Sequence, residues 1–148
     1  MDVISDAIGA VTNLFAGLWP QPTENPQLEN GKLRPCPGTP NGVCSESTNM
    51  IGRIDPLSFT GSADKAWPLL QRIVEENGGV VHKIEKEYLW ATFLVPVFGF
   101  VDDVEFRLSP EEGVIHVRSS SRLGFSDLGV NRGRVEQLRA AFRDALKA

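Results

Sequence analysis

Apolar residues recur at helical spacing from the start of the chain. Ile4, Ile8, Val11, Phe15 and Leu18 form a stripe, joined by Val3, Ala7, Leu14 and Trp19. Asp2, Ser5, Asp6, Thr12 and Asn13 fall on the other side. This predicts an amphipathic helix over residues 3–19, with Asp2 favourably near its positive end and Pro20 and Pro22 stopping it. Two readings stay open for its apolar face: packing on the parent domain, or docking to a membrane or partner subunit. The polar face carries no basic residue, which an anionic lipid surface would favour.

Residues 20–50 lose all periodicity. Pro20, Pro22, Pro26, Pro35, Pro37 and Pro40 read as a connector without regular structure. Beyond it, Ile54 to Phe59 is a short strand candidate. Ser62 or Asp64 then caps a helix whose stripe is Ala66, Leu69, Leu70, Ile73 and Val74 with Trp67 beside it, ended by Asn77-Gly78-Gly79.

Period-two patterning follows. Val80–Glu85 and Tyr88–Val95 read as a hairpin. Leu94 to Phe100 is apolar but broken by Pro96 and Gly99, so it is an edge, a bulge or a bent crossover. Val97 and Phe98 belong either to a docking patch or to core covered by the N-terminal helix.

Val101–Leu108 and Val114–Ser121 form the next hairpin. Val104, Phe106 and Leu108 alternate with Asp103, Glu105 and Arg107, and Ile115, Val117 and Ser119 with His116, Arg118 and Ser120. Matching apolar to apolar sets Phe106 beside Val117, Glu105 beside Arg118 and Arg107 beside His116. One face is then core, and the other charged and internally paired. A glycine-bearing loop leads to a last helix, capped by Asn131 or Asp127, with Val135, Leu138, Phe142 and Leu146 as its stripe. Helices and strands fall in separate blocks, so the class is α+β: an antiparallel sheet of about four or five strands with helices on one face. The chain divides into an N-terminal helix (1–19), a Pro-rich connector (20–50) and the α+β domain (51–148).

The 148-residue length suits one domain with a real core. A net charge of −4 argues against nucleic acid as a partner. The stretch from Arg118 to Ala148 is nevertheless locally basic, with six Arg and one Lys against Asp127, Glu136 and Asp144. The N-terminus holds no Lys or Arg before its apolar stripe, unlike a secretory signal. Cys36 and Cys44 could close a small disulfide ring or stay as free thiols. With no His nearby they make no zinc site, and no metal or cofactor is expected.

The candidate chemistry lies between Asp102 and Glu136. Asp102, Asp103 and Glu105 resemble catalytic carboxylates, but alternation sends Asp102 and Asp103 to opposite faces, against both glycoside and metal chemistry. They read better as counterions of Arg118, Arg122, Arg132 and Arg134. The competing reading is a small-anion site built from those guanidinium forks with Ser119, Ser121 and Ser126. Asp127, Asn131 and Glu136 complete the polar set. His82 and His116 are expected to face solvent, and no Ser or Cys sits in a recognisable nucleophile elbow. No phosphate loop or dinucleotide fingerprint occurs. No catalytic residue is assigned.

Three stretches together resemble one family: Cys-Pro-x-x-Pro-Asn at Cys36–Asn41, Gly99-Phe-Val-Asp-Asp-Val-Glu-Phe106, and the Arg118 to Arg132 motif with Arg134-Val-Glu136. The family is domain of unknown function 1499, with members in cyanobacteria, algae, plant plastids and proteobacteria. The similarity runs from about Gly31 to the C-terminus. Members often place a second cysteine directly after the asparagine, where this chain has Gly42. The resemblance implies no chemistry, but it implies association with membranes, thylakoid or plastid membranes in oxygenic lineages. The favoured expectation is a non-enzymatic accessory or interaction domain, soluble or peripheral to a membrane-bound assembly and docked by the N-terminal helix. The rivals are a small-molecule or anion-binding module, and an enzyme using the Asp/Arg cluster.

Overall fold

A computed structural model describes residues 25–95, 99–122 and 126–148. The helix expected over 3–19, with Ile4, Ile8, Val11, Phe15, Leu18 and Trp19, lies outside the described residues, as do Val97 and Phe98.

The elements run β1 (Gly42–Cys44), β2 (Leu57–Ser58), α1 (Ala63–Glu76), β3 (Val80–Ile84), β4 (Tyr88–Val95), β5 (Phe100–Ser109), β6 (Val114–Ser121) and α2 (Val130–Leu146). The strands form one six-stranded antiparallel sheet in the order β1-β6-β5-β4-β3, with β2 also pairing β6. The class is α+β, and both helices lie on one face of the sheet.

The core is where alternation and helical periodicity meet. Leu89, Ala91, Val104, Phe106, Ile115 and Val117 point to the helices and are buried. They meet Ala66, Leu70 and Val74 of α1 and Val135, Leu138 and Phe142 of α2. Each Val, Leu, Ile or Phe among them stabilises the fold by about 1.5–3 kcal/mol relative to exposure. The β5–β6 register pairs Phe106 with Val117, Glu105 with Arg118 and Arg107 with His116, as the pattern predicts. Ser62 caps α1, its hydroxyl accepting from Lys65 N at 3.3 Å.

The structure differs from the sequence reading in four places. The sheet has six strands, one more than the upper count expected, and two of them are short segments that pair with β6. One of them, β1, arises inside the stretch read as connector. It can lie this close because Gly42 has no side chain: a Cβ there would meet Ser120 Cβ at 2.7 Å. The other, β2, keeps only Leu57 and Ser58 of the expected Ile54–Phe59. Pro56 has no N–H for the ladder, and the carbonyls of Asp55 and Pro56 accept from Arg139 instead, both at 2.6 Å.

The third difference is the cap of α2. Gly129 holds the N-cap position at φ 84°, and neither expected residue sits there. Asp127 works from two residues upstream: its carboxylate accepts from Gly129 N at 2.8 Å and Asn131 N at 3.1 Å. The fourth is the charged face of the sheet, which is buried in β5 and β6, with Asp103, Glu105, Arg118 and Ser120 all covered. His116 is half-buried there too, against the expectation that it faces solvent. Paired charges lose their need for water, so a loop can lie over them.

Candidate functional site

The polar motif splits into two clusters on opposite faces of the sheet, because β5 places successive side chains on alternate sides. The far face, away from the helices, centres on Glu105. Its carboxylate accepts from Arg34 Nη2 at 2.7 Å, Arg34 Nε at 3.2 Å, Arg118 Nη1 at 3.2 Å and Tyr88 Oη at 2.6 Å. Arg118 also donates to the Pro35 carbonyl at 3.1 Å and to Ser120 Oγ at 2.9 Å. Beside it, Asp103 accepts a fork from Arg122, at 2.8 and 3.0 Å, and the indole N–H of Trp90 at 2.9 Å. At the other end Arg107 pairs with Glu46, and Glu46 also accepts from the backbone N–H of Leu33 at 2.8 Å. His116 lies between Ser45 Oγ at 3.0 Å and Glu112 at 2.7 Å.

Burial sets the electrostatics. The Tyr88 phenol is pushed far above the usual tyrosine range, first by desolvation and then by the charge of Glu105, to which it donates. The two guanidinium groups on Glu105 move in opposite directions. Burial draws Arg118 below its ordinary value, with Glu105 pushing back. For Arg34 burial also acts downward, but the hydrogen bond and charge of Glu105 outweigh it and the net shift is up. The difference follows depth: the Arg34 side chain is 27% exposed and that of Arg118 11%. At the exposed rim, the hydrogen bond from His116 lowers the pKa of Glu112.

The helix-side cluster lies at the N-terminal end of β5, behind Asp103. Asp102, fully buried, accepts from Arg134 Nη1 at 2.7 Å. Its Oδ1 has no hydrogen-bond partner and is the buried side-chain polar atom left unpaired among the described residues. Arg134 also donates to Asn131 Oδ1 at 3.1 Å and lies 4.9 Å over the Phe93 ring. Asn131 is the hub. It accepts from Ser119 Oγ at 2.6 Å, and its Nδ2 donates to Asp127 at 2.8 Å, Ser121 Oγ at 3.1 Å and the Asn41 carbonyl at 3.2 Å. Glu136 and Arg132 belong to neither cluster. Glu136 pairs with Arg139 at 3.0 Å, and Arg132 donates to the Arg53 carbonyl at 2.9 Å.

Sequence reasoning missed Arg34, Tyr88, Trp90 and Glu46 as members of the far-face cluster. Tyr88 and Trp90 carried a signal, since they alternate onto the same face as Glu105 and Arg107 once β4 pairs with β5. Arg34 and Glu46 carried none, being in a stretch without periodicity. Cys36 and Cys44 are joined in a disulfide. Among the described residues no group of three or more His, Cys, Asp or Glu is placed to hold a metal ion. No described helix is long and apolar enough to cross a membrane.

The family described as protein of unknown function DUF1499 matches residues 32–142. The chain belongs to the DUF1499 family. The DUF1499 span begins just before Arg34 and ends within α2, so it takes in both clusters and the disulfide. No curated protein and no solved structure matches the chain.

Proposed function

We propose that this DUF1499 chain is a non-enzymatic accessory module whose polar motif holds the fold together and whose apolar corner engages a protein partner. The observation that carries this reading is Leu128. It is 93% exposed and sits at φ 53°, a left-handed conformation costly for a residue with a Cβ. Asp127 and Ser126 hold the turn, accepting from Gly129 N and Leu128 N. Beside it lies a recess of about 220 Å³ lined by Ile51 on one side and by Asp127 and Gly129 on the other. Ile51 is 67% exposed and Met50 86%. Strain held at a surface apolar residue is typical of a recognition site.

The partner is read as part of a membrane-bound assembly, a thylakoid or plastid one in oxygenic lineages, with residues 1–19 as a second contact. The test is native co-purification with stoichiometry measured by mass spectrometry. Leu128→Asp should remove the partner, and deletion of residues 1–19 should weaken its retention on membranes. Full stoichiometry in a variant carrying both changes would refute the proposal.

A second reading has its own observation. A cavity of about 400 Å³ between β4 and the helices is lined by Phe93, Leu138, Val130, Asn77, Gln137 and Arg134. An apolar body with one anionic group would suit those walls. Native mass spectrometry of the freshly purified chain tests it, a bound small molecule lost in Leu138→Trp being the supporting result. A chain free of small molecules that also binds none from a panel of apolar carboxylates would refute it.

A further inference from the structure

The disulfide joins two unlike parts of the chain. Cys44 lies in β1, 3% exposed and paired into the sheet through β6. Cys36 lies outside any strand or helix, half-buried, between Pro35 and Pro37. Both line an open cleft of about 290 Å³ that also includes Lys32, Glu46 and Asn49. The backbone of Gly52 backs the Cys36 sulphur, so closely that an added Cβ would lie 3.3 Å from it.

What the bond tethers is the cover of the far-face cluster. Arg34 reaches Glu105, the Pro35 carbonyl accepts from Arg118, and the Leu33 N–H donates to Glu46. Residues 33–38 belong to no strand. Their hold on the domain is this short set of polar contacts, the buried Leu33 side chain and one covalent link. Polar contacts between a loop and a sheet exchange readily with water once chain connectivity stops enforcing them.

We propose that Cys36–Cys44 is a thiol–disulfide exchange site for a protein dithiol, and that its reduction releases residues 33–38 from the buried Glu105 cluster. A thiolate of the dithiol attacks Cys36 Sγ, the more exposed of the two residues. The S–S bond breaks, and its electron pair leaves on Cys44 Sγ, which takes up a proton. The second thiol of the reductant, deprotonated, then attacks its own partner sulphur in the mixed disulfide. The electron pair leaves on Cys36 Sγ, which takes the second proton. The chain gains two electrons and two protons, and the dithiol becomes a disulfide. The register sets Cys44 opposite Arg118 on the same face of the sheet. A guanidinium group in that position favours a departing thiolate.

The experiment uses the oxidised chain in native buffer. It is treated with a Cys-x-x-Cys dithiol protein, and separately with a form of that protein whose second cysteine is replaced by serine, which traps the mixed disulfide. Two new thiols per chain by alkylation and mass spectrometry are expected, with the trapped adduct on Cys36. Amide exchange in residues 33–38 should accelerate about tenfold or more while β4 and β5 stay protected. The Cys36→Ser/Cys44→Ser double variant should exchange like the reduced chain. Reduction that occurs only in denaturant overturns the exchange site, and an adduct on Cys44 overturns the direction of attack. Unchanged exchange in residues 33–38 after native reduction, or in the double variant, overturns the release.

Discussion

Replacing Glu105 by Gln should cost about 3–5 kcal/mol, the range for breaking a buried ion pair from one side. Gln keeps the shape but removes the charge and turns an amide NH2 toward groups that are themselves donors. Those groups are not equally hurt. Arg34 is partly exposed and can turn to water, so its share is small. Arg118 is nearly enclosed, and its remaining acceptors, the Pro35 carbonyl and Ser120 Oγ, carry no charge. Most of the loss therefore comes from leaving one buried guanidinium without its counterion.

Urea unfolding followed by Trp fluorescence measures the effect, with the slope checked so that a midpoint shift reports stability. For a domain of this size the thermal midpoint should fall by about 2–4 °C per kcal/mol, or about 6–20 °C in all. Adding Arg118→Met to the Glu105→Gln variant should recover part of the loss, since it removes the buried guanidinium that has lost its counterion. A Glu105→Gln loss under about 1 kcal/mol at unchanged slope would refute the reasoning, because water would then be reaching the site. A double variant less stable than the single one would do the same.

Tyr88 is the single tyrosine of the chain, so its ionisation can be followed by tyrosinate absorbance alone. Its folded pKa is raised, so both states are neutral below about pH 10 and the full stability is present there. Above that pH the unfolded chain ionises first, and stability should fall by about 1.4 kcal/mol per pH unit. Tyrosinate absorbance and loss of native circular dichroism should therefore appear together, and absorbance rising first in a folded chain would contradict the buried hydrogen bond. Asn131→Ala should cost about 2–4 kcal/mol by stranding the Ser119 hydroxyl and part of Arg134, while the Asn41 carbonyl keeps the Ser121 N–H, as read by chemical denaturation. Gly42→Val should destabilise by at least about 1–3 kcal/mol through overpacking against Ser120, with β1 amides losing exchange protection. Leu128→Gly should relieve the left-handed strain and raise stability by up to about 1 kcal/mol, while weakening partner retention.

Much of the scaffold was legible because its causes are local. Alternation in residues 101–121 fixes which side chains share a face, and matching the apolar set fixes the register. The stripe Val135, Leu138 and Phe142 needs only helical spacing to be read as core. The same alternation separates Asp102 from Asp103. What each carboxylate then meets is a different kind of fact. Arg34 reaches Glu105 across 71 residues, and Asn131 reaches the Asn41 carbonyl across 90. The stretch supplying Arg34 and Asn41 has no periodicity, so nothing in it points to a partner.

The sequence by itself determined the class, the two buried helix stripes, the central hairpin register and the charge pattern of β5 and β6. Periodicity imposes those on any chain that buries its apolar side. Tertiary structure alone decided that the charged face would be roofed over and that β1 would form where prolines suggested coil. Those outcomes turn on whether distant donors and acceptors find one another in space. A polar group's need for a partner is written in its residue type, whereas the partner's identity is set only when the chain has folded.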